Sequence, residues 1–103
     1  MISPNETIAR EAIFGLRKDG ERFIVSIEIG KPFKWGGTCA TEWACAVKVE
    51  PFHSHTVHGE GSFQALCLAL WWVRAELDRF KEEGGVLLWE SGEEWRFEDI
   101  CKL

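Results

Sequence analysis

Residues 61–85 read GSFQALCLALWWVRAELDRFKEEGG, and every other segment takes its place from this one. Leu66, Leu70, Val73, Leu77 and Phe80 recur at i, i+4, i+7, i+11 and i+14, one face of a helix. Ser62 is placed to cap the N-terminus through its hydroxyl, and Gly84-Gly85 to stop the C-terminus. The spacing predicts a helix over about 62–83. Its first half is apolar nearly all round, so cover is expected on more than one side. Its second half is amphipathic, with Arg74 and Asp78 spaced to pair at i, i+4.

The segments before the helix alternate with period two. IAREAIFGL (8–16) reads as a first strand, and Asp19-Gly20 as the turn of a hairpin. RFIVSIEIG (22–30) puts Phe23, Val25, Ile27 and Ile29 on one face. Ile24 breaks that pattern, which predicts cover on both sides at that end. KPFKWGGTCATE (31–42) reads as a long loop. WACAVKVE (43–50) turns Trp43, Cys45, Val47 and Val49 inward, and Pro51 ends its ladder or marks an edge. HTVHG (55–59) is a short fourth strand. After the helix, VLLWE (86–90) is a strand, and WRF (95–97) is expected to pair back onto it. The order β-β-β-β-α-β(-β) implies an α+β domain: an antiparallel sheet with one long helix packed across one face. A single domain, 1–103, is expected, with residues 1–6 a loose lead-in.

Composition narrows the function. The net charge is −5, and residues 82–99 hold seven acids against the single base Arg96. That opposes direct binding of nucleic acid, which needs a positive stripe. It suits a basic protein partner, steered by opposite potential, and equally a soluble Glu-rich surface. The longest apolar run, Ala65 to Val73, is far short of the ~20 residues of a membrane span. The N-terminus lacks the pattern of a signal peptide, so a cytoplasmic location is the expectation. The four cysteines, at 39, 45, 67 and 101, form no CxxC and read as reduced. Cys39, in a glycine-flanked loop, is the one thiol read as reactive.

FHSHTVHGE (52–60) holds all three histidines. HSHTVHGE fits the His-x-His-x4-Glu core of a cupin metal motif, but Val47 and Cys67 stand where that motif wants glycine. No histidine follows residue 58 to make the second motif. The cupin reading therefore fails. A smaller set remains open: His53, His55 and Glu60 as three ligands of a divalent metal such as zinc, with an open position for water. The alternative is a strand end that happens to carry exposed imidazoles. No GxSxG elbow and no phosphate-cradling glycine motif is present.

Aromatic residues suggest other roles. Phe33 and Trp35 alternate with Lys31 and Lys34 in KPFKWGG; they stack on single-stranded nucleic acid, which the acidity of the domain opposes, anchor a protein partner, or fold back over the core. A small-molecule pocket lined by Trp43, Trp71 and Trp72 is a further possibility. The opening hairpin IAREAIFGLRKDGERFIVSIEIGKP, the Trp-led strand WACAVKV and GSFQALCLALWWVRAEL before Gly-Gly together resemble a family of small bacterial α+β domains of unknown function. The resemblance covers most of residues 8–90 and implies the fold order, with no catalytic residue to carry over.

The expectation is thus a small acidic, non-enzymatic binding protein that engages a protein partner, as immunity proteins, inhibitors and adaptors do. The partner-binding candidates are Phe33, Trp35 and the acidic turn Glu90, Glu93, Glu94, with Trp95 as anchor. No cofactor is expected in that reading, and the chain is a monomer or a homodimer. The competing expectation is a metal-binding protein or small metal-dependent enzyme using the cluster at 53–60.

Overall fold

The structure, a computed structural model, describes residues 6–35 and 42–101. Six strands and two helices follow in the order β1 (Thr7–Leu16), β2 (Arg22–Gly30), β3 (Phe33–Lys34), β4 (Trp43–Glu50), β5 (His53–Gly59), α1 (Ser62–Glu82), β6 (Val86–Leu88) and α2 (Phe97–Ile100). All the pairings are antiparallel, and across the sheet the strands run β5-β4-β2-β1-β6. The chain thus meanders from β1 outward to β5, crosses one face as α1, and returns as β6 on the far edge beside β1.

Local chemistry explains the joints. At the first hairpin, Gly20 takes φ +94°, a left-handed conformation that glycine adopts without the clash a Cβ brings. The Asp19 carboxylate accepts from the Glu21 N–H at 2.9 Å and closes the turn. The expected loop after β2 is more ordered at its start than its glycines suggest. Phe33 and Lys34 pair with Ala44 and Trp43, so β3 continues the line of β2 with the register shifted by one residue. The loop's remainder, with Cys39, lies outside the described residues.

The helix spans the expected range, but its cap differs. Gly61 is the N-cap, and no side chain caps it. Ser62 is already the first helical residue. Gln64 instead reaches back, its Oε1 accepting from the Glu60 N–H at 2.6 Å. At the other end the Gly85 N–H donates to the Phe80 carbonyl at 3.0 Å and ends the helix.

The core is one layer between α1 and the inner sheet face. Ala65, Ala69, Val73, Leu77 and Phe80 are the buried helix residues. They meet Val25, Ile27, Ile29, Cys45, Val47 and Val49, as the alternation predicts. The innermost residues of the first two turns are alanines, not Leu66 and Leu70, which are half-buried on the flank. Small side chains let the helix sit close to the sheet. A Cβ on Gly59 would lie 2.8 Å from the Ala65 backbone nitrogen, so that position requires glycine. Phe23, Phe52 and Phe80 close the other end of the layer, with ring centroids 5.1–5.9 Å apart.

Three expectations need correction. WRF forms no strand: Glu94 makes a single bridge to Leu88, and the chain then coils into α2. Ile24 is not covered on both sides but is 62% exposed. The first half of α1 is covered on one side only; Phe63, Leu68 and Trp71 stay exposed.

Trp95 is the largest departure. An anchor for a partner, as expected of Trp95 beside the acidic turn, needs an accessible ring, yet Trp95 is 2% exposed. Its N–H donates to the Leu87 carbonyl at 2.8 Å, which swings the ring under the end of the sheet between Trp89 and Phe97. Its indole Nε1 is buried with no acceptor among the described residues, at a cost of about 1–3 kcal/mol that the ring's apolar burial offsets. Trp95→Ala should therefore lose about 3–5 kcal/mol in a urea titration followed by far-UV circular dichroism. Trp89→Ala, at a ring 38% exposed, should lose far less. Equal losses would contradict this placement.

Candidate functional site

The histidine strand β5 is an edge of the sheet; among the described residues it pairs with β4 alone. Strand alternation sends His53, His55 and Val57 toward α1 and Ser54, Thr56 and His58 to the open face. The geometry follows. His53 Nδ1 lies 2.7 Å from Glu76 Oε1 and 2.9 Å from Arg79 Nη2. It donates to the carboxylate when protonated there and accepts from the guanidinium when not. Arg79 donates to Glu76 in either case, at 2.6 Å. The His55 ring stacks on Trp72, centroids 5.8 Å apart and planes 21° from parallel. His58 turns the other way, as expected, with Nδ1 3.2 Å from Glu42 Oε2 and its ring edge-on to Trp35 at 4.9 Å.

The metal set is not assembled. His53 and His55 share a face, but Nδ1 of one is held by Glu76 and Arg79 and the ring of the other is stacked on indole. Glu60 lies beyond the strand end, beside Gln64. Among the described residues no three His, Cys, Asp or Glu side chains cluster as metal ligands.

The partner-binding residues do not converge either. Phe33 is half-buried and Trp35 is 38% exposed; with His58 they lie over the fully buried Ala44 on the open sheet face. Glu90, Glu93 and Glu94 are exposed in the turn after β6, at the opposite edge of the sheet. Trp95 is core. The three groups are therefore separate features.

What the structure does bring together is a groove between β5 and α1. It has a volume of about 620 Å³, with Val57, Leu68, Trp71, Trp72 and Ala75 among its lining. Leu68, Trp72, Ala75 and Arg79 follow at i, i+4, i+7 and i+11, a stripe beside the one that enters the core. Trp71 points away from the sheet and is 58% exposed. Trp43, expected with Trp71 and Trp72, does not line the groove. The sequence carried the signal in LALWW, which has more apolar faces than one sheet can cover. Which face stays uncovered depends on where the helix sits.

Cys45, Cys67 and Cys101 are free. Burial raises the Cys45 pKa above the ordinary thiol value, and its Sγ–H donates to the Gly30 carbonyl at 3.2 Å. No helix among the described residues is long and apolar enough to cross a membrane.

These features define a two-layer α+β domain with an uncovered helix flank beside β5, a strand that pairs with β4 alone among the described residues. The chain belongs to the family described as Domain of unknown function (DUF6968), which it matches over residues 10–98. No curated protein and no solved structure matches it. The match spans most of the opening hairpin, the Trp-led strand and the helix, the segments that carried the resemblance.

A raised pKa means less thiolate at neutral pH, and thiolate is the nucleophile. Cys45 should stay unmodified by iodoacetamide in the native protein and react once guanidinium unfolds it, as read by peptide mass spectrometry. Native labelling at a rate matching Cys67 would refute its burial.

Proposed function

We propose that this chain is a non-enzymatic protein-binding domain of the bacterial cytoplasm, acting by occluding or adapting a protein partner. The outer side of α1 and the free edge of β5 form the binding surface. One observation carries the reading: Trp71 and Leu68 stand exposed on a helix flank beside β5, an edge strand that pairs with β4 alone among the described residues. Large apolar side chains in a contiguous exposed patch mark interaction sites, and Trp is the side chain most enriched among interface anchors. An unpaired strand adds backbone donors and acceptors that a partner can satisfy. The free thiols suit a reducing compartment. Trp35 and the acids Glu90, Glu93 and Glu94 flank this surface at a distance and act, in this reading, through charge and solubility.

A photo-reactive benzoylphenylalanine at position 71, in protein expressed in its own host, tests the surface. The expected result is a defined protein adduct at position 71 and none from a control at Lys18, an exposed hairpin position. Equal or absent adducts at the two positions would overturn the assignment.

A further inference from the structure

We infer that the partner seated on the β5–α1 surface is a second copy of this chain, related by a two-fold axis beside Thr56. The inference rests on the binding surface proposed above and names its occupant. Three features support it, the second and third tested at the axis that the first defines.

The first is alignment. His53 touches Glu76 at one end of β5, and Gly59 lies against Ala65 at the other. Six strand steps and eleven helical steps separate the two contacts, roughly 20 Å and 17 Å by the rise per residue. Strand and helix therefore run nearly antiparallel and side by side. The middle of β5 is Thr56. The middle of the helix stripe, between Leu68 and Ala75, is the Trp71-Trp72 pair. One axis beside Thr56 thus centres both elements, and a surface bisected this way is complementary to itself.

The second is distance. Pairing β5 with its copy sets the strands about 4.8 Å apart. The helix packs on β4 and β5. With its axis above that pair, it lies one strand spacing from the two-fold axis. The two helices then stand roughly 10 Å apart, the packing distance of helix pairs. Edge pairing and helix packing are satisfied by the same placement. Leu68 of each copy meets Ala75 of the other, Trp72 meets Trp72, and the antiparallel helix dipoles attract.

The third is charge. The axis sets His53 opposite Gly59 of the second copy, His55 opposite Val57, Ser54 opposite His58 and Thr56 opposite Thr56. It also brings Arg79 of one copy beside Glu60 of the other. Glu60 is exposed and has no ion-pair partner among the described residues. The contact occurs twice, once at each end. No like charges face each other between neutral strands, and β5 lacks the lysines that commonly block an edge.

Sedimentation velocity of the full-length chain over a concentration series is the test. The expected mass is twice 11.8 kDa. Thr56→Lys, which places two ammonium groups directly opposite each other at an exposed edge, should raise the dissociation constant about tenfold or more. Leu68→Glu should do the same, with circular dichroism unchanged in both. Glu60→Arg should weaken the dimer, and adding Arg79→Glu should restore it. Thr56→Cys should form a covalent dimer under mild oxidation, while Lys18→Cys should not. A monomer at every concentration would overturn the inference. So would a dimer indifferent to Thr56→Lys and Leu68→Glu, or a Thr56→Cys variant that never cross-links. Adducts from position 71 to a different protein, with a monomer in the centrifuge, would overturn the second copy and leave the binding surface standing. Absence of both would remove both.

Discussion

One contact organises this molecule: the stripe Ala65, Ala69, Val73, Leu77 and Phe80 laid on Cys45, Val47 and Val49 of the sheet. Each strand has one apolar face, and none of the hairpins is stable alone in water without that face covered. A single helix supplies the cover. Its position is set by the alanines at 65 and 69 and by Gly59, which together let the N-terminal turns descend onto the end of β5. Larger residues there would lift the helix and open the layer. At the far end of the layer the Phe23, Phe52 and Phe80 rings fill the space between helix and sheet.

The alternation of Val25, Ile27 and Ile29, and of Cys45, Val47 and Val49, states the inner face directly, because a strand has only two faces. The helix span was as readable, since its apolar period and Gly-Gly stop agree. The identity of the innermost helix residues was not. Leu66 and Leu70 outrank alanine on any hydrophobic scale, yet close approach selects Ala65 and Ala69. Trp95 escaped for a related reason. Its neighbours Glu93, Glu94 and Arg96 are solvent-facing, while its ring packs into the core between Trp89 and Phe97, a placement that the neighbouring sequence does not state. Phe33 and Lys34 were legible as loop and folded as a strand because β4 offered an edge beside β2.

The candidate site was less legible than the fold. HSHTVHGE looks like a ligand set because two histidines two apart share a strand face. Sequence spacing does not show what already occupies that face. Here Glu76 and Arg79, more than 20 residues away, take the Nδ1 of His53, and Trp72 takes the ring of His55. The histidines tie the edge strand to the helix. Among the described residues that strand pairs with β4 alone.

The two surfaces left outside the core differ in how their chemistry meets water. The open sheet face is mostly polar. Ser26, Glu28, Lys48, Ser54 and Thr56 are polar, Ala46 is small, and Phe14 lies under the Arg22 guanidinium at 4.4 Å. Ile24, 62% exposed, and Trp35, 38% exposed, are its scattered apolar exceptions. The helix flank has no such remedy. Between Ser62 and Val73 α1 carries no charged residue, although half its circumference faces away from the sheet. A solvent-facing helix surface is ordinarily polar, and from Arg74 onward α1 obeys that rule. The change of character falls at Trp71-Trp72, beside the centre of the free edge strand. An apolar half-helix and an unpaired strand placed together leave two different unmet demands, one for apolar cover and one for backbone hydrogen bonds. A protein surface that brings its own strand and helix meets both at once, and the chain itself presents that combination.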